Sequence, residues 1–276
     1  MAEPPTSTIA ADAGGLPPSA AERLDGVLRT GCALLVLPVV LALASLWAMV
    51  LALVGAPRRW IDRVYVGYAR LCVRMAGTRL VTHGLEHVEP GRAYVVVANH
   101  ESSWDPVVLT AGLAPLPLRW VVKRQIIAIP VFGRALLRTG NVRVVRADTE
   151  GDVARIRAEM ARRPSDVSMI FYAEGTRSRD GALHPFKKGA FVTAISWGLP
   201  VLPVGTAGTR RIWRPLTMRL RRGPAVLEVG TPIAVEGLAL ADRDRLRDAA
   251  HAAVRALRAR ARRRLRALGV EPGGVD

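Results

Sequence analysis

The sequence predicts an α/β fold: a mixed central sheet flanked by helices, behind an N-terminal membrane-anchoring helical segment. Three observations predict it. From about residue 80 to residue 230, short apolar runs alternate with stretches of helical periodicity. Residues 31–57 contain no charged residue. Half of the 276 residues are hydrophobic, enough to bury one sizeable core and too many for a disordered chain.

Taken in order, residues 1–28 read as a tail, since residues 1–20 are rich in Ala, Pro, Ser and Gly. A helix over 31–57 would be roughly 40 Å long at about 1.5 Å per residue, against a hydrocarbon core of about 30 Å. One tilted span fits, and so does a shallow hairpin bent near Pro38. A signal peptide fits poorly, because Glu3, Asp12, Glu22 and Asp25 precede the segment. Arg23 and Arg29 lie before it and Arg58, Arg59, Arg63, Arg70 and Arg74 after it, which puts the downstream side in the cytoplasm. Over 60–78, Trp60, Ile61, Val64, Tyr65, Tyr68, Leu71, Cys72 and Met75 recur at helical spacing. That helix packs on the domain or lies on the membrane surface. Strands are predicted at 92–98, 118–122, 141–145, 167–172, 201–204 and 225–229, and helices at 149–162, 190–197 and 242–268. The chain then divides into a tail (1–28), an anchor with an amphipathic helix (29–78), an α/β domain (79–238) and a basic C-terminal helix (239–276).

The net charge is +17, and nearly all of it is arginine; the lysines are Lys123, Lys187 and Lys188. Such a field draws anionic lipid, phosphorylated substrates or nucleic acid. In the last helix Arg255, Arg258, Arg262 and Arg266 fall at helical spacing, so this helix either faces anionic lipid or covers the sheet. Cys32 and Cys72 are scattered and make neither a disulfide framework nor a metal site.

The sharpest local feature is Asn99-His100-Glu101-Ser102-Ser103-Trp104-Asp105-Pro106, directly after an apolar strand. Ligands of open α/β sheets bind beyond the carboxyl ends of strands. A histidine there can act as a general base. If the chain turns before Asp105, its carboxylate can accept the ring Nδ1–H and fix the tautomer. The plainer alternative is a histidine that ends a strand beside an aspartate that starts a helix. A zinc-protease H-E-x-x-H is excluded by Trp104, and no G-x-S-x-G, P-loop or G-x-G-x-x-G occurs. A nucleophilic Ser102 or Ser103 stays open. The second feature, Ala173-Glu174-Gly175-Thr176-Arg177-Ser178, also follows a strand. Its backbone N–H groups can form an anion-binding concavity, and Arg177 suits phosphate geometry. A third, Gly140-Asn141-Val142-Arg143-Val144-Val145-Arg146, puts Arg146 at a strand end.

The order and spacing of these blocks resemble the lysophosphatidic acid (1-acylglycerol-3-phosphate) acyltransferase family of glycerolipid acyltransferases. Its N-H-x4-D block matches Asn99, His100 and Asp105. Its F-P-E-G-T-R-S block matches Glu174, Gly175, Thr176, Arg177 and Ser178, with Tyr172 and Ala173 standing where the family usually has Phe and Pro. The stretch from Gly140 to Arg146 and the strand Leu202-Pro203-Val204 are similar to two further blocks. The resemblance covers roughly residues 80–210.

It implies a one-step acyl transfer. His100 deprotonates the acceptor hydroxyl, Asp105 orients His100, and the hydroxyl attacks the thioester of acyl-CoA or acyl carrier protein. Glu174, Gly175, Thr176, Arg177 and Arg146 bind the acceptor phosphate, and Lys123 joins them from the Lys-x-hydrophobic stretch before Ile129-Pro130-Val131-Phe132-Gly133. No metal or other cofactor is implied; the thioester is a co-substrate. The implied partners are acyl-CoA or acyl carrier protein, lysophosphatidic acid and anionic membrane lipid, with no nucleic acid. Acylation of another lysolipid or of glycerol-3-phosphate is the alternative among enzymes. A membrane-tethered anionic lipid-binding module is the alternative from another class.

Overall fold

The computed structural model describes residues 20–144, 151, 154–156, 158, 161, 165–214 and 219–272. Its α-helices are α1 (Ala20–Leu53), α2 (Arg58–Met75), α3 (Asp105–Gly112), α4 (Arg124–Ile127), α5 (Phe132–Arg138), α6 (Gly189–Trp197), α7 (Thr209–Ile212) and α8 (Arg243–Ala267). The strands are β1 (Thr78–His83), β2 (Val95–Ala98), β3 (Leu118–Lys123), β4 (Val142–Val144), β5 (Ser168–Tyr172), β6 (Val201–Ala207) and β7 (Gly223–Val229).

Among the described residues, seven strands form one sheet in the order β1-β7-β6-β2-β5-β3-β4. All neighbours are parallel except β6 and β7, so the sheet is mixed. Val95, Val96, Val97 and Ala98 of β2 are all 0% exposed. Such a run is continuous rather than alternating because helices cover both faces. On one face Val96 and Ala98 pack with Trp104, Val108 and Leu109 around α3 and with Cys72 and Ala76 around α2. On the other, Val95 and Val97 pack with Ala190, Phe191 and Ala194 of α6 and Leu246, Ala250 and Val254 of α8.

α1 starts at Ala20, so residues 20–28 are helical rather than part of a tail. Their Ala, Glu, Leu and Arg are good helix formers, which offsets the proline-rich stretch before them. Pro38 lies inside this single helix and marks no hairpin; the turn comes at residues 54–57, where α2 begins. α1 and α2 run antiparallel. Leu51 clusters with Ile61, the Tyr68 hydroxyl donates to the Leu37 carbonyl, and Arg29 donates to the Met75 carbonyl. α2 in turn packs on the domain, through Asp62 to Arg119 at 2.7 Å and the Tyr65 hydroxyl to Thr139 at 2.6 Å. Of the two placements open to this amphipathic helix, the structure selects the domain surface. The outer face of α1 keeps Leu35, Leu43, Leu46 and Trp47 exposed, and residues Gly26–Leu53 form a stretch long and apolar enough to cross a membrane.

α8 is a core helix. Its Ala261 and Leu265 pack with Ala207 and Val226, and Arg258 and Arg262 are buried, at 5% and 4% exposure. Four arginines facing lipid together are therefore excluded: Arg255 and Arg266 are exposed, whereas Arg258 and Arg262 turn inward. The expected helix 149–162 falls mostly outside the described residues, of which only 151, 154–156, 158 and 161 are helical there.

Candidate active site

β2 and β5 are adjacent and parallel with Ala98 opposite Tyr172, so the segments that follow them leave the sheet side by side. The first segment holds His100 and the second Glu174. Asn99 fixes the exit of β2: its side-chain amide exchanges two hydrogen bonds with the Thr206 backbone of β6, at 3.1 and 2.7 Å.

Past Asn99 the chain folds around one carboxylate. Asp105 opens α3 and is fully buried. Its Oδ2 accepts the N–H of Glu101 and of Ser102, both at 2.8 Å, and lies 2.7 Å from His100 Nδ1. An ionised carboxylate only accepts, so Nδ1 carries the hydrogen and Nε2 is left with its lone pair. The short turn exists because one charged oxygen gathers three donors, and the same oxygen sets the histidine tautomer. Tyr172 stacks on the imidazole, with centroids 3.8 Å apart and planes 10° from parallel. Burial keeps its phenol protonated. Tyr172 was not among the expected site residues; its place at the end of β5, level with Ala98, is the signal that could have found it.

The second loop is tied to the first. Glu174 Oε1 accepts the His100 N–H at 2.8 Å, and Oε2 accepts the His184 N–H at 3.0 Å. The Ser178 N–H donates to the His100 carbonyl at 2.7 Å. Burial pushes the Glu174 carboxyl up, outweighing those two N–H bonds. Glu174 was expected among the phosphate ligands. With 5% exposure and both oxygens accepting backbone donors, it brackets two segments instead of facing a ligand. Gly175 turns with φ of +78°, and a Cβ there would stand 3.0 Å from Lys187 Cδ and Cε, so the Lys187 stem lies across this loop. Thr176 and Arg177 are exposed beyond it, and an Arg177 Nη1 donates to Ser103 Oγ.

Lys123 ends β3, beside Val144 of β4 and at the same carboxyl end of the parallel strands as the two loops. Arg146 lies outside the described residues. Asn141 is buried and holds α5 to β3: its Oδ1 accepts the Trp120 N–H and its Nδ2 donates to the Leu136 carbonyl. The Ser102 hydroxyl donates to the Trp213 carbonyl at 2.7 Å and the residue is 0% exposed, so Ser102 is no nucleophile, whereas Ser103 is half-buried with its Oγ accepting from Arg177. Glu101 was also missed as a site residue. Burial and the Asp105 charge push its carboxyl up to about 8, against the pull of Arg258, Arg262 and Arg210.

Residues 79–207 match the Acyltransferase family model. The chain is 31% identical over 164 residues to a 1-acyl-sn-glycerol-3-phosphate acyltransferase of Limnanthes douglasii, covering 59% of this chain and 57% of that one. It is 33% identical over 179 residues to the human 1-acyl-sn-glycerol-3-phosphate acyltransferase alpha, covering 61% of this chain and 62% of that one. The match thus spans less than two thirds of these relatives. The crystal structure of the 1-acyl-sn-glycerophosphate acyltransferase PlsC from Thermotoga maritima shares the fold, with a TM-score of 0.73 at 21% identity over 91% of this chain and 98% of that one.

Proposed function

We propose that the chain acts as a lysophosphatidic acid acyltransferase, the activity named for the relatives it resembles, and that it transfers a fatty acyl group from a thioester to the free hydroxyl of 1-acylglycerol-3-phosphate, giving phosphatidic acid. The observation that carries this reading is the single Asp105 oxygen that holds His100 Nδ1 at 2.7 Å and two backbone N–H groups. A carboxylate used that way orients and charges a base; mere polyanion binding has no use for it.

His100 Nε2 takes the acceptor's hydroxyl proton as that oxygen attacks the thioester carbonyl. Asp105 stabilises the resulting imidazolium. Collapse of the tetrahedral intermediate breaks the C–S bond, and the imidazolium returns the proton to the departing thiolate. The ester, the free thiol and the neutral base balance the step without an acyl-enzyme. Arg177, exposed at the rim and hydrogen-bonded to Ser103 of the histidine loop, receives the acceptor phosphate together with Lys187, Lys123 and Arg146. The donor is acyl-CoA or acyl carrier protein.

The enzyme works at a membrane, where acceptor and product reside. The apolar outer face of α1 supports this, and the arginines of α2 favour the anionic cytoplasmic leaflet. Because α1 runs antiparallel to α2, which carries Arg58, Arg59, Arg63, Arg70 and Arg74, we place it in the headgroup–acyl boundary rather than across the bilayer.

The test is thiol release and lipid product formation with acyl-CoA, offered lysophosphatidic acid or an unphosphorylated lysolipid in mixed vesicles. Phosphatidic acid from the former is the expected result. Preference for the unphosphorylated acceptor refutes the assigned substrate, and no thiol release with any acceptor, from acyl-CoA or acyl carrier protein, refutes acyl transfer.

A further inference from the structure

Residues 208–276 lie beyond the segment that matches the acyltransferase family, yet α8 reaches the centre of the site. Its approach is set by Gly205 of β6. A Cβ there would stand 2.3 Å from the Arg258 backbone nitrogen and 2.5 Å from the Leu257 carbonyl carbon, so only glycine lets helix and strand backbones meet at this point. Gly205 is the residue before Thr206, which pairs with Asn99 at the exit of β2. Arg258 is therefore anchored at its backbone against the same strand end that holds the histidine segment.

Its side chain divides between the two loops. The guanidinium is buried, donates to the Gly181 carbonyl and stands 3.6 Å from Glu101 Oε2. Glu101, 4% exposed, follows His100 directly, and its N–H is one of the three donors on Asp105 Oδ2. Gly181 closes the turn that begins at Ser178: its N–H donates to Ser178 Oγ at 2.8 Å, and the Ser178 N–H reaches the His100 carbonyl. Arg210 of α7 braces that turn again, on the Ser178 and Arg179 carbonyls at 3.3 and 2.6 Å. The charged groups facing Glu101 are thus Asp105 from α3, Arg258 and Arg262 from α8 and Arg210 from α7.

A buried arginine–carboxylate pair is an inefficient stabiliser, since desolvation cancels much of its attraction and apolar replacements are often as stable. Its benefit lies in geometry. Here one nitrogen, Nη2, makes both contacts, a hydrogen bond to the Gly181 carbonyl and an ion-pair contact to Glu101, and the planar guanidinium fixes where that nitrogen stands.

We propose that Arg258 is a positioning residue for acyl transfer, holding the His100–Asp105 loop, through Glu101, at a set distance from the Arg177 loop, through Gly181. This rests on the acyl-transfer reading for its kinetic consequence but not for its structural one. The C-terminal helix is then a third support of the site, and the base and the phosphate-binding rim keep their spacing only while it is docked.

Hydrogen exchange on the full-length protein in vesicles tests the tether without reference to turnover. In Arg258→Met, amides of residues 99–105 and 174–182 lose protection together, while those of β2 and β5 do not. Loss in one loop alone, or in neither, overturns the proposal. The same variant lowers kcat roughly 10- to 100-fold, the cost of displacing reacting groups by about 1 Å, with each KM within about threefold of wild type. Arg258→Lys, which keeps the charge and loses the planar guanidinium that places Nη2, falls between Arg258→Met and wild type and serves alone if the methionine variant does not fold. Wild-type kcat in either folded variant, even with a lowered Tm, makes the residue merely structural and overturns the proposal. Wild-type protein that turns over no thioester refutes acyl transfer and leaves the exchange result to judge the tether.

Discussion

Asp105→Asn is the substitution whose consequences the structure specifies most closely. Three hydrogen bonds converge on Oδ2, while Oδ1 is buried with no partner among the described residues. Asparagine has two ways to sit. With its oxygen in the Oδ2 position, it keeps two backbone donors and the His100 tautomer but offers them a neutral acceptor. Hydrogen bonds to a charged partner contribute about 1.5–3 kcal/mol against about 0.5–1.5 for neutral ones, so the two backbone bonds together lose about 2 kcal/mol. The amide NH2 then occupies the partnerless side, which adds to that cost. With its nitrogen in the Oδ2 position, donors face donors and the turn opens. Either way the imidazolium formed during transfer has lost its counter-charge. We expect kcat to fall between ~10²-fold, the smaller effect of a lost acid–base group, and ~10⁴-fold, the effect of the same change in a serine protease triad. The loss in stability amounts to roughly 4–8 °C in Tm for a chain of this size. Thiol release measured well below the variant's Tm, beside a melting curve, separates the two effects. A folded Asp105→Asn protein with kcat within about threefold of wild type refutes the reasoning.

Glu101→Gln tests the buried carboxyl. Its folded-state pKa of about 8 lies above the ordinary 4.5, so its contribution to stability is complete below about pH 4.5 and is lost as pH rises through about 8. The Tm of Glu101→Gln relative to wild type should therefore rise across that window, and parallel Tm curves would contradict the assignment. Arg177→Ala should raise the KM for lysophosphatidic acid roughly 10- to 150-fold, the loss of one charged hydrogen bond, and leave the KM for the acyl donor near wild type; the reverse pattern places Arg177 on the donor. Replacing Leu35, Leu43 and Trp47 on the exposed face of α1 by Asn should release the full chain from sedimenting vesicles, whereas high salt alone should not. Unchanged sedimentation of the triple variant assigns membrane binding to another surface.

Much of the fold was legible because strands buried on both faces write themselves as apolar runs. β2, β3, β5, β6 and β7 all begin within three residues of where those runs place them. α3 was legible only at its start, as an aspartate that could open a helix: at eight residues it is too short to show a period, and that aspartate, Asp105, also acts backward on the turn before it. The His100–Asp105 pair could be read because both partners lie in one short segment. Glu174 was misplaced because its partners, the N–H groups of His100 and His184, are backbone groups that no motif displays. Arg258 and Arg262 could not be assigned between lipid and sheet for a similar reason. Helical spacing places them on a face but does not say what covers it, and the cover is the sheet and Glu101.

The most direct test of the central claim is turnover of lysophosphatidic acid by His100→Ala in the full chain. The variant removes the base but leaves Asp105 its two backbone donors and leaves Glu174 and Arg177 in place, so folding and membrane binding should persist. Phosphatidic acid formation from acyl thioester should fall at least ~10²-fold, with KM for the acceptor little changed. A folded, membrane-bound His100→Ala protein that forms phosphatidic acid at the wild-type rate would contradict the mechanism.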